Sequence, residues 1–547
     1  GVFPAWGRIT QVPSDRQTAQ GRATNMAEAQ NNFPSPSHGR SIAWGALTNW
    51  LAFAATLVVA FFLAPYLLRR LGEARYGLWC MVEALLAYFT LLDLGIAACL
   101  VRSVARCCAL SNLRELNRYA AAAFWLYSAG AGVVLLVSLP LALGLAPLLE
   151  RRMDQSDPVK PFLLLMLIQF ALTLPLSVFP TLLDGLQRFG RKSVVRLIAL
   201  ALRIGGMVLV METTPGLTGL AVVLSVSQIV EHGVMWWVVR RDLPDLSLSW
   251  RLVDWATLRE VRRYSQDAFL AMIAGRLSGQ SGPIVSGLLL SATAAAHYTL
   301  AYRLIDMGKN LLRAATTTLT PAVSQREAVN DREGLRSLFL DATRAVLYVA
   351  LPVHCGLWFF GHAFLNRWLG SSTVADASYP VVVILSLTLT LGVAQSVASR
   401  VLYGLGQLRS FARLAILEGV GVVFLGVLAT PWWHLRGLAI AGAVPNVLFC
   451  LWTIAAACRY TQTTAGEYCR RSCGRPLATV VIPATIWWVT GPISATWYDL
   501  FTTLAIGLIP YAFGVALWEG GHRLSRSIRR ACGDVLETLP SRLRHRA

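Results

Sequence analysis

Long apolar runs separated by short polar breaks occupy the chain from residue 42 to residue 517. Fourteen runs stand out, at 42–68, 76–100, 119–149, 161–183, 194–211, 217–239, 264–290, 296–321, 345–365, 379–401, 414–429, 438–458, 477–495 and 500–517. Each approaches the roughly 20 apolar residues that a helix needs to cross a bilayer. The fifth, eleventh and fourteenth are short or polar, so the pattern predicts twelve to fourteen spans. The runs are continuous instead of alternating every second residue, which requires helices and not a barrel. The expected fold is an all-α integral membrane protein of about fourteen transmembrane helices.

Composition agrees. Of 547 residues, 55% are hydrophobic and 14% are charged, where a soluble protein holds about 25% charged residues. The net charge of +20 raises the question of a nucleic-acid partner, but the distribution of the charge answers it. With both termini placed in the cytoplasm, most of the 49 Lys and Arg fall in the tails and loops on that side. This is the asymmetry that orients membrane proteins, and it accounts for the basic excess without nucleic acid. Only Lys160, Lys192 and Lys309 are lysines, and the arginine excess reads as the codon usage of a GC-rich bacterium. The ten cysteines, including Cys107-Cys108 and Cys469-x3-Cys473, lie in spans or on the inner side. No histidine succeeds them at zinc-ligand spacing, and inner-side thiols stay reduced; no metal or cofactor is expected.

Residues 1–40 are rich in Gln, Asn, Ser and Pro and read as a disordered cytoplasmic tail, with Met26 a natural start and residues 1–25 an extension ahead of it. An internal repeat divides the chain beyond residue 40. Arg75-Tyr76-Gly77-Leu78 recurs as His297-Tyr298-Thr299-Leu300, Arg114-Glu115-Leu116 as Arg332-Glu333-Gly334-Leu335, and Leu183-Asp184-Gly185-Leu186-Gln187 as Leu402-Tyr403-Gly404-Leu405-Gly406-Gln407. Six spans separate the copies, so both run the same way through the membrane, related by an axis along its normal. The expected organisation is an N-lobe at 41–240 (spans 1–6), a cytoplasmic linker at 241–263 and a C-lobe at 264–460 (spans 7–12). Spans 13–14 lie at 461–519, and a basic cytoplasmic tail at 520–547. Leu252, Trp255 and Leu258 predict a short surface helix in the linker. Leu524, Ile528, Val535 and Leu539, set among arginines, suit either a tail helix lying on anionic lipid or a solvated tail.

Charges inside the spans point to function, because a charge at membrane depth costs several kcal/mol and normally faces a partner or a polar cavity. Arg303, Asp306, Lys309 and Arg313 in the eighth span fall within one stripe about 120° wide at 100° per residue. Three cations and one acid cannot neutralise themselves, so the stripe lines a cargo cavity or forms an inter-helix salt-bridge seam. Arg276 sits mid-span within Gly275-Arg276-Leu277-Ser278-Gly279-Gln280-Ser281-Gly282-Pro283, a pattern that marks either a bend or close packing. Arg203 lies about 13 Å inside the fifth span by helical rise. Glu231 lies at a similar depth, as counter-ion to Arg203 or as a carrier of a proton or Na⁺; Asp306 is the other candidate for ion or proton coupling. Asp93 and Glu418, nearer the inner ends, read as helix-packing groups. The candidate substrate-binding set is therefore Arg203, Arg276, Arg303, Lys309 and Arg313, converging on a cleft between the lobes. No P-loop, nucleophile elbow or HExxH motif is present, so an enzyme is not expected, and the longest outer loop is too small for a membrane-embedded glycan polymerase or ligase.

Several stretches resemble the Wzx-type lipid-linked oligosaccharide flippases, the polysaccharide exporters of the multidrug/oligosaccharidyl-lipid/polysaccharide superfamily. They include Leu68-Arg69-Arg70-Leu71-Gly72-Glu73-Ala74-Arg75-Tyr76-Gly77-Leu78-Trp79, Leu91-Leu92-Asp93-Leu94-Gly95, Gly185-Leu186-Gln187-Arg188-Phe189, Tyr298-Thr299-Leu300-Ala301-Tyr302-Arg303-Leu304, Pro321-Ala322-Val323-Ser324, Arg367-Trp368-Leu369-Gly370 and Leu402-Tyr403-Gly404-Leu405-Gly406-Gln407. The resemblance implies a two-lobed bundle in the bacterial inner membrane that flips an undecaprenyl-pyrophosphate-linked glycan outward for surface polysaccharide synthesis. It further implies membrane lipids, a polysaccharide polymerase and chain-length proteins as partners. Gly282-Pro283 stands where such proteins often carry an acid. A cation-coupled multidrug antiporter of the same superfamily is the alternative.

Overall fold

The computed structural model describes residues 39–150, 159–316, 319–491 and 496–520; the two terminal tails, with the tail helix expected near Leu524, lie outside them. Among the described residues the chain is helical throughout. The first half contributes α1 (Gly39–Leu71), α2 (Glu73–Phe89), α3 (Ile96–Ala109), α4 (Leu113–Glu150), α5 (Val159–Leu176), α6 (Val178–Gly185), α7 (Phe189–Thr213) and α8 (Leu217–Asp242). The second contributes α9 (Trp255–Leu289), α10 (Ala292–Ala315), α11 (Leu319–Ala328), α12 (Arg332–Leu369), α13 (Ser372–Gly404) and α14 (Leu408–Tyr460). The short α15 (Ala465–Tyr468), α16 (Gly474–Thr490) and α17 (Trp497–Glu519) close the described chain.

Ten helices among the described residues are long and apolar enough to cross a membrane. The remaining expected spans coincide with helices of another character. Runs 264–290 and 296–321 lie in α9 and α10, whose polar and charged residues dilute the apolar signal. Runs 414–429 and 438–458 share α14, which folds at His434 (φ 50°, ψ −138°), and run 477–495 begins in the shorter α16. Two further expectations are revised. Trp255 and Leu258 open the long α9 and form no separate surface helix, and Gly275–Pro283 does not break α9, which continues as one helix to Leu289. Gly282 serves close packing, since a Cβ there would lie 2.1 Å from the Tyr298 ring on α10; Gly279 lies beside the Tyr302 hydroxyl, and Gly275 meets nothing within 4 Å.

The repeat is visible in the backbone. Ser111 (φ 49°) and Asn330 (φ 54°) hold left-handed geometry at equivalent turns, as do Gln187 (φ 57°) and Gly406 (φ 71°). Gly185 on α6 abuts Val104 of α3, where a Cβ would approach the valine to 2.6 Å, and Gly404 on α13 abuts Val323 of α11 at 2.5 Å. All of these pairs share one offset of 219 residues. Helix packing obeys the same rule. Helix α1 packs on α7 as α9 packs on α14, and α5 packs on α8 as α13 packs on α14. Because equivalent turns need the same backbone whatever side chain they carry, this register outlasts most of the sequence likeness between the halves.

A seam joins the halves at the end of the bundle marked by Gly72 and Gly370. Helices α2 and α10 meet backbone to backbone: a Cβ on Gly77 would lie 1.7 Å from the Ala292 carbonyl oxygen. Beside this contact His297 Nε2 lies 2.8 Å from Glu73 Oε2. Arg69 on α1 donates through Nε to the Leu369 carbonyl (3.1 Å), and Trp368 donates through Nε1 to the Phe61 carbonyl (3.0 Å). The Phe61 and Trp368 rings stack at 5.1 Å. At the other end Tyr119 donates to Glu260 (2.6 Å) and Arg118 pairs with Asp254, which ties the root of α9 to α4.

The seam sets an expectation for stability. Gly77→Val would push α2 and α10 apart and should cost about 1–3 kcal/mol or more, read as a melting temperature several degrees lower in purified protein. Gly132→Ala, which meets nothing within 4 Å, should leave the melt unchanged.

Candidate functional site

The polar stripe of α10 is split between two environments. Arg303, nearest the seam, crosses to the first half: Nη2 pairs with Glu83 on α2, and Nη1 donates to the Tyr76 hydroxyl at 3.3 Å. One to three turns on, Asp306, Lys309 and Arg313 border a cavity of about 480 Å³ enclosed by α9, α10, α13 and α14. Lys309 Nζ donates to Thr388 Oγ1 (2.7 Å), and Asn310 Nδ2 donates to Asp306 (2.8 Å). The opposite wall supplies Gln395, Ser399 and Arg400 from α13, with Glu418 and Asn446 from α14. Glu418 is buried and accepts hydrogen bonds from Ser278 (2.7 Å) and Asn446 (3.0 Å).

The charge balance of this cavity decides what it can hold. Its cations are Lys309, Arg313 and Arg400, and its acids are Asp306 and Glu418. Both acids are engaged by neutral donors and neither by a guanidinium. Arg313 and Arg400 make no hydrogen bond or ion pair among the described residues. Three cations against two acids leave a net charge of +1, and two guanidiniums without a hydrogen-bonded partner over a wall of amide and hydroxyl groups favour an anionic ligand that also carries hydroxyls.

Arg203 behaves differently. Its Nη2 pairs with Glu231 at 3.1 Å and its Nε donates to Ser227 at 3.1 Å, across α7 and α8. The pair lies in a second cavity, of about 570 Å³, with Arg196 of α7 and Asn49, Trp50 and Phe53 of α1. The two cavities share two repeat-related positions, Thr56 with Gly275 and Arg196 with Ala415, and otherwise have different linings. Arg276 is half-buried on α9; its neighbours Gly275, Ser278 and Gly279 border the first cavity and Arg276 does not.

The expected single cationic cleft is thus distributed over the structure. Asp306, Lys309 and Arg313 come together; Arg203 with Glu231 sits in the other half, and Arg303 is consumed by Glu83. The residues that the sequence left unassigned here are Arg400, Gln395 and Asn446, and Glu418, read as a packing group, lines the cavity wall. Arg400 lies at the end of run 379–401. Asp93 does pack and cap, accepting from the Ala97 N–H (3.2 Å) and from Tyr127.

These helices, their repeat and their membrane-depth charged cavities define a polytopic all-α membrane protein with a transporter fold. A model of the family described as polysaccharide biosynthesis protein matches residues 44–327. The chain belongs to that family. It is 21% identical over 408 residues to the uncharacterized membrane protein EpsK of Bacillus subtilis, covering 73% of this chain and 79% of that one. It is 22% identical over 264 residues to the probable low-salt glycan biosynthesis flippase Agl15 of Haloferax volcanii, covering 48% of this chain and 54% of that protein. Among solved structures, the inward closed lipid II flippase MurJ superposes with a TM-score of 0.67 at 12% identity, covering 86% of this chain and 99% of MurJ. An inward-facing multidrug resistance MATE transporter gives 0.59 at 17%, covering 80% and 100%. Both likenesses concern the fold.

The Arg303–Glu83 pair makes a measurable prediction. Arg303→Gln leaves a carboxylate without its cation and should destabilise by about 1.5–3 kcal/mol. The double variant Glu83→Gln/Arg303→Gln should melt higher than the sum of the single losses, with coupling above about 0.5 kcal/mol; strictly additive melts would show that the pair is inert.

Proposed function

We propose that this chain carries a lipid-linked oligosaccharide across the bacterial inner membrane by alternating access. The observation that supports this most directly is the cavity holding Arg313 and Arg400 without protein partners among the described residues, beside Lys309. A pyrophosphate suits the charge of Arg313 and Arg400, and Gln395, Ser399 and Asn446 offer donors and acceptors to sugar hydroxyls, while the lipid tail stays in the bilayer. Residues 41–240 and 264–460 act as the rocking lobes, joined by 241–263, with both termini cytoplasmic. The seam at Gly77 and Trp368 then closes the outer face, and the basic loops face inward. The family and the names of Agl15 and MurJ favour a glycan-bearing lipid as cargo. Arg203 and Arg276 would meet the cargo along its route, Arg303 would do so once the seam parts, and Glu231 or Asp306 would carry the coupling proton or ion.

The multidrug-antiporter reading shares the fold. Drugs are commonly cations, and a cavity with an excess of guanidinium repels them, so the charge balance favours the glycan.

In cells that depend on this chain for surface polysaccharide, Arg313→Gln and Arg400→Gln should each reduce export at least tenfold, with lipid-linked oligosaccharide accumulating on the inner face. Arg276→Ala and Arg303→Ala should also lower export while the protein remains in the membrane. Normal export in the Arg313 and Arg400 variants would remove the cavity from the transport route. The topology is tested separately at the exposed Cys469. A membrane-impermeant maleimide should label it in inverted vesicles and not in right-side-out ones, against a Cys469→Ser control.

A further inference from the structure

A third cavity, of about 350 Å³, lies away from both charged cavities, where the root of α9 meets the first half. Trp255, Arg259, Arg262 and Phe269 line one side of it, on a stripe with helical spacing; Leu94 and Leu126 line the other. The floor is apolar and the guanidiniums flank it. Arg259 and Arg262 are exposed, three residues apart, and form no hydrogen bond or ion pair among the described residues. The acid between them, Glu260, is already engaged by Tyr119. Trp255 and Trp250 project outward, at 70% and 66% exposure.

We propose that this groove binds an anionic phospholipid of the leaflet at the linker end, its phosphate held by Arg259 and Arg262 and one acyl chain laid along Leu94, Leu126 and Phe269. The dimensions fit. Arg259 and Phe269 are ten residues apart, about 15 Å along the helix axis, the depth of one leaflet of a hydrocarbon core about 30 Å thick. Two arginines one turn apart can both reach a single phosphate, and exposed tryptophans belong at the membrane–water boundary. A soluble acidic partner would leave the apolar floor unused, and a neutral lipid would leave both cations unmatched. Arg118–Asp254 and Tyr119–Glu260 already hold the root of α9 on α4. A bound lipid would add a further brace at the place where the two halves join.

The test is lipid retention by the full chain, purified in detergent and incubated with phosphatidylglycerol or phosphatidylcholine, then read by native mass spectrometry. Wild type should retain phosphatidylglycerol at least tenfold better than phosphatidylcholine. Arg259→Gln/Arg262→Gln should lose that preference, whereas Arg263→Gln, which lies outside the groove, should keep it. Leu126→Trp, which fills the floor, should lower retention with the arginines intact. These side chains are exposed or half-exposed, and an unchanged melting curve will show that each variant is folded. Equal retention by wild type and the double arginine variant would overturn the proposal. So would displacement by soluble glycerophosphoglycerol or a polyglutamate peptide as effective as displacement by the lipid. Retention is measured without transport, so its failure leaves the cargo assignment intact, and a failed export assay leaves the lipid site intact.

Discussion

An ionised group surrounded by hydrocarbon must find a counter-charge, a polar wall or a route back to water, and much of this molecule is arranged around that requirement. Arg203 and Arg303 meet it by pairing with Glu231 and Glu83. Lys309 meets it with a hydroxyl and a cavity. Arg313 and Arg400 meet it with the cavity alone. The distinction separates cations that hold helices together from cations available to something else. It also explains why α9 and α10 are the least apolar of the long helices: they carry the wall of the chamber and cannot be coated for lipid on every side.

The internal repeat keeps the path of the chain more closely than its chemistry. Left-handed turns at Ser111 and Asn330, and at Gln187 and Gly406, preserve the path of the chain in both halves. Only the last of these has the residue for which that geometry is easy. The chemistry has drifted far more than the path. Glu418 with Asn446 in the second half answers to Ala199 with Ser227 in the first, and the Arg203–Glu231 pair of the first half has Val422 and Cys450 in its place in the second.

The fold was readable because the bilayer imposes one rule on every span: apolar length. A few recurring motifs then gave the repeat. The site was only partly readable. A helical wheel orders the residues of one helix, so it placed Asp306, Lys309 and Arg313 on a common stripe. It cannot say which helix lies opposite, and that is what consigned Arg303 to Glu83 and Arg203 to Glu231. Arg400 was hidden by its position near a span end, where guanidiniums commonly serve as interface anchors. The glycines of α9 were ambiguous for a similar reason: a small residue permits either a bend or a close neighbour, and only Tyr298 decides between them.

The backbone contact at Gly77 has a mechanical consequence. Side chains can slide, rotate or swap partners by degrees, but two helix backbones in van der Waals contact leave no such slack. Parting them should also release the Glu73–His297, Arg69–Leu369 and Trp368–Phe61 attachments nearly together. In the proposed transport cycle the seam would then behave as a snap-action catch, with few stable half-open positions through which ions could leak.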